Sequence, residues 1–233
     1  MGSDKKSDPD YWGVEGPPHT VQLDSYWIYK TEVTNAMYKQ CVDAGKCTKP
    51  SKADSPASFY AKAEDVDYPV VQVNWDQAQA YCQWAGGTLP SEAQWEKAAR
   101  GTDARRFPWG SSLPDGKRLN LCDKNCSLKE KDSRIDDGFM NLAPVGSFPD
   151  GASPYGLLDM AGNVWEWTAD WYQPAYYKTA PLENPIGPEN GSGRTIRGGS
   201  WSDKTAAQFR TVARQGISPG SVFDTLGFRC IVP

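Results

Sequence analysis

The sequence has no long apolar run, no excess of basic residues and almost no histidine. No stretch of its 233 residues approaches the roughly 18 apolar residues of a membrane-spanning helix, so we expect no membrane insertion. The formal net charge is -4, whereas a nucleic-acid-binding surface is usually basic, so we expect no nucleic-acid partner. His19 is the only histidine, which argues against a zinc site or a histidine base. The chain also begins without the features of a signal peptide.

Cysteine is present in an even number, six, and its spacing suggests pairing. Two pairs are close in sequence and one is distant, namely Cys41 and Cys47, Cys122 and Cys126, and Cys82 and Cys230. Such a pattern favours disulfides and an oxidising compartment, so we expect an extracytoplasmic or cell-surface location. A four-cysteine zinc site built from the two close pairs is the alternative, but neither pair has the usual C-x2-C spacing.

Helix signals occupy the first half of the chain, and short strands follow. Thr34, Asn74 and Ser91 each precede a helical pattern as a capping residue, and the patterns end near Gly45, Gly86 and Gly101 respectively. Residues 1–18 are polar and rich in proline and glycine, which predicts a mobile lead-in, and residues 19–29 predict a strand. After residue 101, turn residues separate short aromatic or β-branched runs, including those that contain Trp165 and Trp167. The sequence therefore predicts a single, loop-rich α+β domain over residues 1–233 with short antiparallel strands.

Four segments together resemble the formylglycine-generating-enzyme, or sulfatase-modifying-factor, family. They are WIYKTEVTNAMY (27–38), YCQWAGGTLPSEAQWEKAARG (81–101), YGLLDMAGNVWEWTADWY (155–172), and RTIRGGSW with GFRC (194–201 and 227–230). The resemblance implies a C-type-lectin-like α+β fold. The family also carries a motif ending in MGS after an apolar strand, and residues 1–3 match that ending. We therefore expect that the first part of this N-terminal strand is missing.

The resemblance also identifies what is absent from the active site. Members of the family oxidise a sulfatase cysteine with copper held by two cysteines, and the matching positions here are Asp203 and Gln208. A carboxylate and an amide do not replace the soft ligands that Cu(I) requires, so we expect no copper and no formylglycine chemistry. A related branch, the iron-dependent sulfoxide synthases, needs several histidines and is excluded by the single one present.

Two calcium sites are implied by the resemblance. The first would use Asn120, Leu121, Asp137 and Phe139, and the second Asp159, Gly162, Val164 and Glu166, through side-chain and backbone oxygens. Hard oxygen ligands in turns suit Ca2+. The alternative is that these residues only form turns and a solvated surface. The family's disulfide between the second helix and the terminal GFRC motif corresponds here to Cys82–Cys230.

A ligand surface is expected around the lost copper site. Its predicted residues are Trp165, Ser200, Trp201, Asp203, Gln208 and Arg210. For Arg210, Arg214 and Arg229 the alternative role is to tie loops together. We therefore expect a non-catalytic module that binds an unknown protein or small ligand, such as a diversity-generating-retroelement variable protein or a sensor domain of a bacterial kinase. The alternatives are a formylglycine-type oxidase or other enzyme using the same cleft, and a purely structural interaction domain.

Overall fold

The computed structural model describes residues 1–55 and 58–232. Pro56 and Ala57, which belong to the loop predicted over residues 48–68, lie outside the described residues, as does Pro233. The described part contains three α-helices, two small sheets and several short 3-10 helices. None of its helices has the length and apolar character needed to cross a membrane.

The three helices begin at the predicted capping residues. Helix α1 spans Asn35–Asp43, α2 spans Trp75–Trp84 and α3 spans Glu92–Arg100. Each is capped by the side chain of the residue before it, and both α2 and α3 have the reciprocal capping box with a glutamine at the third helical position. These local hydrogen bonds explain why the helix starts could be predicted from sequence alone.

The larger sheet has four strands in the order β4-β3-β2-β5. Its strands are β2 (Trp165–Trp171), β3 (Arg194–Arg197), β4 (Arg214–Ile217) and β5 (Leu226–Gly227). Neighbouring pairs are antiparallel except β2 and β5, which run parallel, so the prediction of antiparallel strands is correct for all but one pair of this sheet. The long chain between β2 and β5 allows that parallel return.

A second, two-stranded sheet joins the beginning and the end of the chain. Strand β1 (Trp27–Ile28) pairs antiparallel with β6 (Ile231–Val232). The strand predicted over residues 19–29 is thus regular over only its last part. Next to β6, Cys230 forms a disulfide with Cys82 of α2, and the other two predicted pairs are also bonded, Cys41–Cys47 and Cys122–Cys126. All six cysteines are therefore in disulfides, as expected for an oxidising environment.

The core is held together by ion pairs as well as by apolar packing. The main apolar cluster includes Tyr38, Tyr81, Trp167 and Phe228, from α1, α2, β2 and the chain after β5. Helix α3 docks on the larger sheet through Glu92. Both oxygens of Glu92 accept hydrogen bonds from the Arg214 guanidinium at 2.7 Å, and none of these groups is exposed by more than 2%.

The first eighteen residues are not the mobile lead-in that composition predicted. The Arg210 guanidinium, which is fully buried, donates to Asp8 at 2.6 Å and to both oxygens of Glu15 at 2.7 and 2.9 Å. Arg214 donates to the backbone carbonyl of Val14 at 3.0 Å. The prediction was wrong because the partners lie some 200 positions away, where no local pattern announces them.

Candidate functional site

The loop that carries the predicted ligand residues begins at a two-glycine turn after β3. Gly198 and Gly199 have positive φ angles of 102° and 79°. A Cβ atom on Gly198 would lie 3.2 Å from the Trp95 ring, and one on Gly199 would lie 2.7 Å from the Phe209 ring. Since only glycine adopts this backbone without strain, the turn is fixed. It brings Asp203 close to the beginning of β2.

The Asp203 carboxylate is bound by four hydrogen-bond donors. Its Oδ2 atom accepts from Trp165 Nε1 at 2.9 Å, from the Ser200 amide at 2.8 Å and from the Ser200 hydroxyl at 3.1 Å. Its Oδ1 atom accepts from Gln208 Nε2. Burial raises the pKa of Asp203, while these hydrogen bonds lower it. The two residues that occupy the copper-ligand positions therefore bond to each other, and we call this cluster the Asp203 clamp.

The Asp203 clamp lacks the parts of a nucleophilic active site. The Ser200 side chain is fully buried, and its Oγ lies 3.0 Å from Ser202 Oγ and 3.1 Å from Asp203. A serine nucleophile needs a general base within hydrogen-bond reach, usually histidine. His19 instead lies against the Tyr177 ring, with its Nδ1 atom 3.0 Å from the carbonyl of Pro17. The arrangement thus holds a loop in place without activating a hydroxyl.

Trp165 and Trp201 support the loop from below. They are exposed by only 7% and 5%, and the Trp201 indole donates to the backbone carbonyl of Asp224 at 3.1 Å. Trp167, on the opposite face of β2, donates to the carbonyl of Val73 in the core. The strand alternation predicted for Trp165 and Trp167 therefore holds, with Trp165 directed toward the site.

Arg210 does not reach the ligand surface predicted for it. Its guanidinium is fully buried and is shared between Asp8 and Glu15. A ligand could reach it only by displacing the N-terminal segment, which would leave buried carboxylates unpaired. The alternative role, tying loops together, describes its contacts, and we no longer include Arg210 in the proposed ligand surface.

The exposed groups of this region are on the two loops around the clamp. We define the C-terminal loop surface as residues 202–208 and 218–224. Val222 and Phe223 are exposed by 36% and 50%, although they are apolar. Their backbone is anchored, because the Gln72 amide donates to the Phe223 carbonyl at 2.9 Å and Trp201 binds the neighbouring carbonyl. An exposed apolar side chain on a fixed backbone is typical of a binding surface.

The first predicted calcium set has an unsatisfied oxygen. Asn120 is 1% exposed, and its amide group donates to the Asn141 carbonyl and to Asn163, but its Oδ1 atom has no hydrogen-bond partner. Asp137 accepts from the amides of Leu121 and Phe139 at 2.9 and 2.8 Å. Burial raises the pKa of Asp137 to about 7. A buried amide oxygen without a donor beside a desolvated carboxylate fits a hard cation.

The second predicted set is arranged differently from the expectation. Glu166 binds the Arg229 guanidinium through both oxygens at 2.8 Å and also accepts from Trp95 Nε1. Asp159, at a positive φ of 58°, accepts from the Gly146 amide at 2.6 Å. Burial is the main cause that raises the pKa of Asp159. The Glu166 carboxylate already has a cationic partner, whereas Asp159 has none of comparable geometry.

Glu32 is the site residue that sequence reasoning missed. It is fully buried, its Oε1 accepts from Asn163 at 3.1 Å, and its Oε2 has no partner. Burial first, and the neighbouring Asp159 second, raise the pKa of Glu32 well above its usual range. Within residues 1–55 and 58–232, no three His, Cys, Asp or Glu side chains are arranged to hold a metal by themselves. A cation here would also need amide or carbonyl oxygens.

The whole chain matches one protein family. Residues 1–233 match the family described as "Sulfatase-modifying factor enzyme 1-like domain", and the chain belongs to that family. Its fold class is accordingly α+β of the formylglycine-generating-enzyme type.

Three relatives illustrate the range of proteins that it resembles. It is 37% identical to the formylglycine-generating enzyme of Streptomyces coelicolor, over 93% of this chain and 81% of that protein. It is 40% identical to the "Inactive C-alpha-formylglycine-generating enzyme 2" of Mus musculus, over 72% of this chain and 50% of that protein. It is 38% identical to the serine/threonine-protein kinase pkn1 of Chlamydia caviae, over 93% of this chain and 34% of the kinase.

Two solved structures are similar over almost the full chain. PvdO from Pseudomonas aeruginosa gives a TM-score of 0.79 at 26% identity and covers 99% of this chain and 89% of that chain. The Treponema denticola variable protein 1 gives a TM-score of 0.69 at 25% identity and covers 95% of this chain and 88% of that chain. The family therefore contains relatives named as enzymes, as an inactive enzyme and as a variable protein.

Proposed function

We propose that this protein is a non-catalytic ligand-binding domain, which recognises a protein or small ligand through its C-terminal loop surface. The observation that carries the proposal is the Asp203 clamp. The residues at the copper-ligand positions are a carboxylate and an amide, and they are hydrogen-bonded to each other and to Trp165. No thiolate is left to bind copper, because all six cysteines are in disulfides.

The relatives support such a role for the scaffold. An inactive formylglycine-generating enzyme and a variable protein share its fold or its sequence, and a similar region occurs within a protein kinase. A bacterial kinase sensor and a retroelement variable protein are two settings in which a binding domain of this kind would act. The paired cysteines are consistent with a position outside the cytoplasm.

The copper chemistry of the family should be absent. Incubation with a Cys-x-Pro-x-Arg peptide, Cu(I) and oxygen should leave the cysteine unchanged, as read by mass spectrometry. An active family member assayed in parallel provides the positive control. Conversion of the peptide to the aldehyde at that enzyme's rate would show that the domain is an oxidase after all.

Calcium should stabilise the fold through oxygens around Asn120 and Asp137. A ligand that binds only the folded state adds about 2.7 kcal/mol at a hundredfold excess over its Kd, which raises the melting temperature. We expect Asp137→Asn to reduce this gain in calorimetry with and without EDTA. The matched control is Glu189→Gln, an exposed carboxyl, which should leave the gain intact. Equal melting temperatures in EDTA and millimolar calcium would contradict the proposal.

Phe223 should contribute to ligand binding without contributing much to stability. Its ring is half exposed, so Phe223→Ala removes an available apolar contact, and buried interface aromatics often contribute about 2 kcal/mol or more. Peptide and glycan arrays would first identify a ligand. Its affinity should then fall at least about tenfold in this variant. Leu113→Ala, which removes a side chain exposed by 65% outside the defined loop surface, is the control. Equal losses in both variants would place binding elsewhere.

A further inference from the structure

A groove runs along the N-terminal side of the domain, away from the C-terminal loop surface. It consists of two adjoining cavities of about 620 and 810 Å3. Both are bordered by Leu23 and Lys97, so they form one continuous channel. One wall is the chain from residue 18 to residue 28, and the other is α3 with the loop at residues 155–157.

The first wall is an extended edge that is paired on one side only. On its paired side, the Gln22 amide donates to the Leu182 carbonyl at 2.8 Å, and the Gln22 carbonyl accepts from Asn184 at 2.8 Å. Residues of the other parity face the opposite way. Within residues 1–55 and 58–232, the amides and carbonyls of Val21, Leu23 and Ser25 have no hydrogen-bond partner.

This open edge is a gap in an otherwise continuous line of strand pairing. At one end, Met1 and His19 exchange two backbone hydrogen bonds, at 2.8 and 2.9 Å. At the other end, β6 pairs antiparallel with β1, and the Tyr29 amide donates to the Cys230 carbonyl. Odd-numbered residues point to the added strand at both ends. The groove therefore lacks strand pairing only opposite residues 20–25.

The side chains of the groove combine apolar and cationic character. Leu23, Ala98 and Leu157 give it an apolar lining, and two aromatic rings project into it, Trp27 and Tyr155, exposed by 74% and 55%. Lys97 lies over the Tyr155 ring at 6.0 Å. In the described ranges, neither Lys97 nor Lys30, another lining residue, has a carboxylate partner. The channel is thus complementary to a chain with alternating apolar and acidic side chains.

We propose that the Val21–Ser25 edge binds an extended peptide segment of a partner protein as an added antiparallel strand. The gap takes about six residues, whose backbone would satisfy the three unpaired residues of the edge. Apolar side chains of the peptide would pack toward α3, and its carboxylates would approach Lys30 and Lys97. The site is distinct from the C-terminal loop surface and does not depend on the function proposed for it.

The probe is an acetylated hexapeptide of alternating valine and glutamate, measured by fluorescence anisotropy. Two matched versions carry N-methyl groups, one on the valine amides and one on the glutamate amides. Alternate amides of a strand face opposite edges, so one version should lose at least about tenfold in affinity and the other should bind nearly as the parent does. Equal affinities of the two versions would overturn the proposal, as would failure of the parent peptide to bind.

Amide hydrogen exchange locates the contact on the protein. The amides of Val21, Leu23 and Ser25 should exchange at least about tenfold more slowly when the peptide is bound, while the Gln22 amide, already bonded, should change little. Leu23→Pro removes a donor that has no partner in the free protein, so it should abolish binding, whereas Leu23→Ala should retain most of it. A dimer paired through this edge, or loss of binding when residues are added ahead of Met1, would assign the groove to the protein's own chain and overturn the proposal.

Discussion

Replacing both Cys82 and Cys230 with alanine should lower the free energy of unfolding by about 5 kcal/mol. The disulfide closes a loop with a sequence separation of 148, and the chain-entropy model relates stabilisation to the logarithm of that length. It also fixes the end of the chain next to α2, where both cysteines are fully buried. Urea unfolding of the oxidised wild type and of the double variant would measure the difference.

The Cys41–Cys47 pair is the matched control. Its sequence separation is 6, for which the same model gives only about 2 kcal/mol. Removing it should therefore cost less than half as much as removing Cys82–Cys230. Similar losses in the two double variants would show that native-state packing, and not loop length, determines the contribution of these disulfides.

Glu92→Gln should cost about 3–5 kcal/mol of stability, because it breaks a buried ion pair on one side. Glu92 receives both hydrogen bonds of the Arg214 guanidinium and lies 3.4 Å from Arg197, and all three side chains are almost completely buried. The neutral amide would leave the two guanidinium groups with one less compensating charge in the interior. Chemical unfolding at neutral pH would measure the loss.

An exposed ion pair provides the comparison for Glu92. Lys39 and Asp43 lie 2.6 Å apart on α1, but both side chains are 61% exposed. Solvent screens such pairs, so Asp43→Asn should cost about 0.5 kcal/mol or less. If the two substitutions had equal effects, burial would not be the reason for the importance of Glu92.

The elements that could be predicted are those encoded by neighbouring residues. Thr34, Asn74 and Ser91 cap the helices that follow them, because a cap needs only the next three residues. The strand predicted over residues 19–29 is regular only at Trp27–Ile28, since the preceding edge has no strand on its open side. A strand exists only if a partner lies beside it, and periodicity does not contain that information.

The candidate site was predictable in position but not in its contacts. Matching the family motif placed Asp203 and Gln208 correctly at the lost copper site, but their bond to each other depends on the fold of the 203–208 loop. Arg210 illustrates the limit more strongly, since its partners Asp8 and Glu15 are about 200 residues away. Glu32 had one available signal, a lone carboxylate between Tyr29 and Val33 in a largely apolar segment.

The attachment of residues 1–18 through Arg210 and Arg214 has a practical consequence for where the domain can be cut. Deleting this segment would remove Asp8 and Glu15 and strand a fully buried guanidinium without its counter-charges. A protease nick or an expression boundary within the segment would therefore damage the whole folded unit, and trimming the polar N-terminus to improve crystals or yield should produce insoluble protein.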